Sequence, residues 1–257
     1  MNPKRLHQRW QDSLESRLDS IVELLRRQRP LSATEVHDLR VALRRARLLA
    51  RLGAPLIGRS EAKQFREATR ARLDLLDPVR DYDVALDWLR DMKTSASLIT
   101  KLQLRRDRLW LATRNKLKLP ATATSLGFKA KHGAKKLNRR LEKLLETTAE
   151  LCQRTVLRGN EVPTTELHEL RRVVRRWRYL RELQLTSNAI RRDARLKRLL
   201  TVQESLGELQ DRQVILDRLP KPGRSAELRN LRATLQRELT TARHVALYRL
   251  KLLPLRP

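Results

Sequence analysis

The sequence predicts an all-α protein that consists of two tandem antiparallel bundles of about four helices each, related by approximate twofold symmetry. Three observations predict this class. Apolar residues return at three- and four-residue spacing almost throughout, only 7 glycines occur in 257 residues, and one charged pattern occurs twice. Valine and isoleucine, which favour strands, are scarce beside leucine. We place the first bundle at residues 1–124 and the second at residues 125–257.

Prolines, glycines and capping residues place the helices of the first half. Pro30 ends the first helix, and Ser32 caps the second, with Glu35 three residues later completing a capping box. Pro78 and Asp81 indicate a turn between the third and fourth helices. The five helices are expected at about 4–29, 32–53 and 60–76, then from the turn to about 92, and from 95 or 97 to 119.

The second half repeats this order after a small and polar linker at 121–127. Its helices are expected at about 128–159, 164–184, 189–206 and from beyond Gly223 to about 253. After Gly207, the residues Gln210 and Asp211 correspond to Arg80 and Asp81 of the first half at an offset of 130, and we interpret both pairs as turns.

A thirteen-residue pattern of one glutamate, one histidine and four arginines occurs twice, 131 positions apart. The copies are Glu35, His37, Leu39, Arg40, Arg44, Arg45 and Arg47, then Glu166, His168, Leu170, Arg171, Arg175, Arg176 and Arg178. At about 100° per residue, part of each copy falls on one narrow arc opposite an apolar arc. We call these arcs the first motif row (His37, Arg40, Arg44, Arg47) and the second motif row (His168, Arg171, Arg175, Arg178).

Each motif row suits a large anion. Its side chains are spaced about 5 Å apart because a helix rises 1.5 Å per residue. Arginine holds phosphate oxygens bidentately, and the histidine lies near the positive N-terminal end of the helix dipole. Binding of a phosphate polymer to such a row should weaken steeply as salt is added.

The composition favours the same class of partner. The chain has 58 Lys and Arg against 29 Asp and Glu, a formal net charge of +29. An excess of this size favours nucleic acid, polyphosphate or anionic lipid as partners. Three further sets of cations have helical spacing, and we expect two or three of them to border the motif rows; independent solvated faces are the alternative. These sets are Lys63, Arg66 and Arg70; Lys131, Lys135 and Arg139; and Arg191, Arg195 and Arg198.

The doubled pattern E-x-H-x-L-R-x-x-x-R-R-x-R, with the downstream Arg80-Asp81 and Gln210-Asp211 pairs, resembles the CHAD family, named for a conserved histidine α-helical domain. The resemblance covers nearly the whole chain. It implies two four-helix bundles and binding of inorganic polyphosphate on a basic surface, with recruitment to polyphosphate granules. The ligands it implies are His37, Arg40, Arg44, Arg45, Arg47, His168, Arg171, Arg175, Arg176 and Arg178.

We expect no enzyme activity, no cofactor and no metal site. One histidine per half supplies too few metal ligands unless the two histidines converge with Asp81 or Asp211. The expected role of these two aspartates is helix capping or pairing with arginine. Glycine-rich phosphate loops are missing. The single cysteine, Cys152, excludes an internal disulfide and suggests a core thiol, and the four tryptophans sit at core positions. A phosphatase or phosphotransferase that uses His37 or His168 remains the enzymatic alternative.

Nucleic acid is the secondary partner in this interpretation. Aromatic residues make up 4% of the chain, which supplies few platforms for stacking bases. No run of 18 or more apolar residues and no secretory signal occur in the sequence. We therefore expect a cytoplasmic monomer without a membrane partner.

Overall fold

A computed structural model of the chain describes residues 2–27, 29–118, 133–158 and 162–253. Those residues form α-helices and contain no strand, which confirms the all-α class. The helices are α1 (Pro3–Arg26), α2 (Ala33–Leu52), α3 (Ala54–Ile57), α4 (Arg59–Asp91), α5 (Ala96–Arg114), α6 (Ala134–Leu157), α7 (Thr164–Gln184), α8 (Ser187–Arg192), α9 (Ala194–Arg218) and α10 (Ala226–Leu250). The predicted linker at 121–127 lies outside the described residues.

The chain divides into two compact units, Met1–Arg140 and Leu141–Pro257. Unit 1 contains four long helices, α1, α2, α4 and α5, together with the start of α6. Unit 2 contains the rest of α6 with α7, α9 and α10, beside the short α8. The division falls inside α6 rather than in the linker. The predicted symmetry between the halves stays a prediction.

In unit 1, α2 packs between α1 and α4, and α4 also packs against α5. The Trp10 indole on α1 donates a buried hydrogen bond of 2.8 Å to the carbonyl of Leu49 near the end of α2, so the two helices are antiparallel. A Cβ atom at Gly53 would lie 1.9 Å from Cζ2 of Trp10. Only glycine therefore fits where α2 ends against this ring.

α4 continues through Pro78, and the predicted turn at Pro78 and Asp81 is wrong. A proline inside a helix costs about 3 kcal/mol or more because it removes one backbone hydrogen bond and crowds the preceding turn. The apolar face of this helix offsets that cost, since Leu73, Leu76 and Val79 are buried on both sides of the proline. The third and fourth predicted helices are thus one helix.

In unit 2, α7 packs against α9, and α9 packs against α10. α9 runs through Gly207, so the predicted turn at Gln210 and Asp211 is also wrong. Asp193 caps α9 by accepting a 2.7 Å hydrogen bond from the backbone N–H of Leu196. The helix expected at 189–206 is therefore divided between α8 and α9.

The helices that carry the motif agree well with the sequence. Ser32 and Glu35 form the predicted capping box at the start of α2, and α7 spans the predicted residues 164–184. All four tryptophans are buried, as predicted. Cys152 is buried as well, and burial raises the pKa of its thiol to about 12.

Candidate anion-binding surface

The first motif row lies on the side of α2 that is turned away from the core. The opposite side is apolar and buried, with Leu39, Ala42, Leu43, Ala46 and Leu49 each at most 9% exposed. His37 is exposed, and the three arginines of the row are partly exposed. The packing of α2 thus confirms the predicted separation of apolar and cationic arcs.

Arg45 and Arg176, which the resemblance to the CHAD family includes as ligands, follow directly after members of the rows. Successive residues of a helix are rotated by about 100° around its axis, so these two side chains project from a different side of the helix than the row side chains do. Both are partly exposed.

Asp77 of α4 lies against the middle of the first motif row. Nε of Arg40 donates a 3.0 Å hydrogen bond to Oδ1 of Asp77, and Nη2 of Arg40 donates to the same oxygen. Nη2 of Arg44 lies 3.7 Å from that oxygen. A single carboxylate oxygen therefore holds two neighbouring guanidinium groups of the row.

His37 lies at the N-terminal end of this row, within reach of the charge of Arg80 on α4. Packing excludes part of the water around the ring, and this partial burial lowers the pKa of His37 below its ordinary value of 6.5 although the residue as a whole is exposed. The charge of Arg80 is the next cause, and the charges of Arg40 and Arg44 act in the same direction. Asp38 opposes them. The imidazole is thus held among cations.

At the other end of the row, α4 contributes two of the cations that were predicted to border it. Partial burial lowers the pKa of Arg47, and the charges of Arg70 and Arg66 lower it further, while Asp74 raises it. The antiparallel α2 and α4 therefore place their cations on one surface. We call this surface, defined by the first motif row with Arg66, Arg70 and Arg80, the α2–α4 face.

Arg140 and Arg51, which are not among the predicted site residues, extend this face. Arg140 of α6 donates hydrogen bonds of 3.0 Å and 2.9 Å to the last carbonyls of α2, those of Leu52 and Arg51. Burial lowers the pKa of Arg140, and the charges of Arg51, Arg59 and Arg66 lower it further. A guanidinium at this end also offsets the negative end of the helix dipole.

The second motif row has the same arrangement on α7. Its opposite side is buried, with Leu170, Val174, Trp177 and Leu180 each at most 2% exposed. Nδ1 of His168 donates a short hydrogen bond to Oε1 of Gln210, which leaves Nε2 on the far side of the ring.

The arginines of the second motif row contact acidic and aromatic neighbours. Nη2 of Arg171 lies 4.0 Å from Oδ1 of Asp211, which confirms the pairing role expected of Asp211. Arg178 lies 3.4 Å from Glu182 on its own helix, and its guanidinium stacks over the ring of Tyr179 at 4.7 Å. Asp81 and Asp211 both lie inside helices, so neither caps one.

The motif glutamates have a local structural role. Glu35 accepts from the backbone of Ser32 in the capping box and pairs with Arg27 and Arg29. Glu166 pairs with Arg158 at 2.6 Å. In each half the glutamate binds an arginine eight residues earlier, so it connects the start of the motif helix to the end of the preceding helical segment.

The other predicted cations are placed less favourably for one continuous basic surface beside the motif rows. Lys63 is exposed and pairs weakly with Glu67 at 3.9 Å. Lys135 and Arg139 are exposed on α6, and Lys131 lies outside the described residues. Arg191 belongs to α8, whereas Arg195 and Arg198 belong to α9, so the predicted single row of these three is wrong. Asp193, which caps α9, separates the two helices.

Sequence reasoning missed Asp77 and did not count Arg51, Arg80 or Arg140 as part of the site. One more turn of the motif spacing reaches Arg51 in the first half and Glu182 in the second, so the sequence contained that signal. Arg80 and Asp77 face α2 only because α4 is continuous through Pro78.

Comparisons with protein families and solved structures define the class. A family model described as the CHAD domain matches residues 12–220. The chain belongs to the CHAD domain family. It is similar in fold to the crystal structure of the CHAD domain from the plant Ricinus communis, with a TM-score of 0.67 at 18% identity over 99% of this chain and 93% of that chain. It is also similar to PptA from Streptomyces chartreusis, with a TM-score of 0.65 at 16% identity over 95% and 98%. No curated protein matches the chain.

The described residues contain no group of three or more His, Cys, Asp or Glu side chains that could hold a metal ion. Among the same residues, no helix combines the length and the apolar character needed to cross a membrane.

Proposed function

We propose that this protein binds inorganic polyphosphate, without catalysis, through the α2–α4 face and the second motif row, and that it acts at polyphosphate granules. The observation that carries the proposal is the crowding of cations on the α2–α4 face. Partial burial lowers the pKa of both His37 and Arg47, and neighbouring positive charges lower it further. Such crowding is unfavourable in the free protein and becomes favourable when a polyanion lies along it.

The geometry suits a flexible chain of phosphates. Row side chains lie about 5 Å apart along the axis, since they are three or four residues apart at 1.5 Å each. Guanidinium groups bind phosphate oxygens bidentately. A phosphate at His37 would favour the imidazolium form and reverse the effect of Arg80 on its pKa.

Nucleic acid fits this surface less well. Single-strand binding surfaces stack bases on exposed aromatic rings. Trp10, Trp88, Trp110 and Trp177 are all buried in the helical cores. The ring of Tyr179, beside the second motif row, is covered by the guanidinium of Arg178. Contacts to phosphate would then dominate, and those give binding without sequence preference.

Catalysis is not part of the proposal. Asp38, the acidic residue that raises the pKa of His37, follows it directly on α2, and successive helical side chains diverge by about 100°. The carboxylate nearest the middle of the first motif row, Asp77, is held by Arg40 and Arg44. His168 is bonded to an amide, that of Gln210. Release of phosphate from polyphosphate by the wild-type protein, lost in His37→Ala or His168→Ala, would contradict this part of the proposal.

A binding titration tests the proposal. Labelled long-chain polyphosphate is titrated with protein at near-physiological salt, followed by competition with duplex DNA and RNA. The paired variant Arg44→Ala with Arg175→Ala removes one guanidinium from each motif row. We expect it to weaken binding at least about tenfold, since hydrogen bonds to charged groups contribute about 1.5–3 kcal/mol each.

A matched control removes the same charge elsewhere. Arg90 and Arg229 are exposed arginines outside the motif rows, one in each unit. Arg90→Ala with Arg229→Ala should change the affinity by less than about twofold, because distant exposed charges are screened. Equal losses in the two paired variants would contradict the assignment of the rows. Equal competition per phosphate by DNA would favour a general polyanion binder.

A further inference from the structure

Asp77 and Gly207 occupy corresponding positions in the two units. The charge of Arg80 acts on His37 of α2, and His168 of α7 is bonded to Gln210, which follows Arg80 at an offset of 130. The same offset carries Asp77 to Gly207.

The arginine contacts agree with that correspondence. Arg40 bonds to Asp77, and the motif counterpart of Arg40 is Arg171. A Cβ atom at Gly207 would lie 3.7 Å from Nη2 and 3.8 Å from Nε of Arg171. Arg40 therefore lies beside Asp77 of α4, and Arg171 lies beside the corresponding residue of α9, Gly207. This position carries a carboxylate in unit 1 and no side chain in unit 2.

We propose that Asp77 is a built-in counter-ion that fills, in unit 1, an oxyanion position that Gly207 leaves open to a phosphate in unit 2. The inference rests on the proposed function and specifies how the two motif rows differ at this point. In unit 1, one carboxylate oxygen lies 3.0 Å from Nε of Arg40 and 3.7 Å from Nη2 of Arg44. Guanidinium groups bind carboxylate and phosphate oxygens through the same N–H donors.

A phosphate at the unit 1 position must displace Asp77 or lie beside its negative charge. Either event weakens binding, because the arginines give up a charge-assisted hydrogen bond or the two anions repel each other. At the unit 2 position a phosphate meets no side chain from residue 207. Asp211 is the acidic neighbour of Arg171 there, at the longer distance of 4.0 Å.

Reciprocal variants test the inference. Asp77→Asn keeps the size of the side chain and removes its charge, and Gly207→Asp adds a carboxylate where the spacing to Arg171 allows a side chain without a clash. We expect Asp77→Asn to raise the affinity for long-chain polyphosphate, and Gly207→Asp to lower it, each by about three- to tenfold for one charge at contact distance in a solvated site. The slope of log affinity against log salt should become steeper in the first variant and shallower in the second, by about one unit.

Two control variants distinguish the effect of these two positions from a change in net charge and from the effect of adding a side chain to the helix. Asp87→Asn makes the same charge change on α4 at an exposed residue that pairs with Arg90. Gly207→Asn adds a side chain of the same size without charge. Neither should alter the salt slope, and thermal melts confirm that every variant is folded.

The outcomes separate this inference from the proposed function. If the wild-type protein does not bind polyphosphate, the proposed function fails, and the inference fails with it. If the wild-type protein binds and Arg44→Ala with Arg175→Ala weakens binding, the function stands. The inference alone is then overturned by an Asp77→Asn affinity that is unchanged or lower, or by Gly207→Asp behaving like Gly207→Asn. A lower affinity in Asp77→Asn would mean that the carboxylate positions Arg40 and Arg44 for the ligand.

Discussion

Replacement of Arg106 by methionine should destabilise unit 1 strongly. Arg106 on α5 is 5% exposed, and its Nε donates a 2.9 Å hydrogen bond to Oδ1 of Asp83, which is 3% exposed on α4. Its Nη2 donates a 2.7 Å hydrogen bond to the carbonyl of Leu31, just before the cap of the motif helix α2. One buried guanidinium thus connects α5 with α4 and with the residue that precedes the cap of α2.

The magnitude follows from what the variant leaves behind. Asp83 would keep a buried charge without a cation bonded to it, and its Oδ2 already lacks a hydrogen-bond partner among the described residues. Removing one partner of a buried ion pair costs about 3–5 kcal/mol. We expect a loss of that size in the free energy of unfolding, measured by urea denaturation. Arg105→Met, an exposed change on the same helix, should lie within about 0.5 kcal/mol of wild type.

The pH dependence gives this prediction a second test. Burial raises the pKa of Asp83 above its ordinary value of 3.8, and the hydrogen bond from Arg106 opposes that rise. Without the arginine, the folded state takes up a proton more readily than the unfolded state. The loss in the free energy of unfolding caused by Arg106→Met should therefore become smaller as the pH falls towards the ordinary pKa of a carboxyl group. A loss below about 1 kcal/mol, or a deficit that does not depend on pH, would refute the role given to this pair.

Three further predictions concern single positions. Gly53→Ala should destabilise the protein by about 1–3 kcal/mol in urea denaturation because its Cβ would overlap Trp10, and a neutral effect would contradict that contact. Arg80→Gln should raise the pKa of His37 in an NMR titration, since the charge of Arg80 lowers it in the wild type; an unchanged pKa would show that burial alone acts. Cys152 should react with a thiol reagent only after unfolding, because the thiol is buried and its pKa is raised to about 12; rapid labelling of the native protein would contradict this.

Local signals in the sequence predicted the motif helices well. Ser32 and Glu35 define the start of α2 by contacts within four residues, and the apolar arc opposite each motif row determines which side is buried. Such features depend on helix geometry alone, and a single sequence is sufficient to find them. The CHAD pattern was recognisable for the same reason.

Breaks in the helices and neighbours on other helices were predicted poorly. Pro78 and Gly207 read as turns because each residue weakens a helix locally, yet burial of α4 and α9 along their whole length outweighs that cost. A turn at Pro78 would end the helix there, so the predicted helices did not place Asp77 and Arg80 against α2. The contacts between Arg140 and the end of α2 join residues 88 and 89 positions apart, and no local pattern reports them.

The central claim is that the motif rows are where phosphate binds, and a crystal structure of the protein with bound polyphosphate tests it most directly. The account predicts phosphate oxygens within hydrogen-bond distance of row arginines on α2 and α7, with one phosphate beside Gly207 and Arg171. Phosphates that lie elsewhere on the protein, with both rows solvated, would contradict the account.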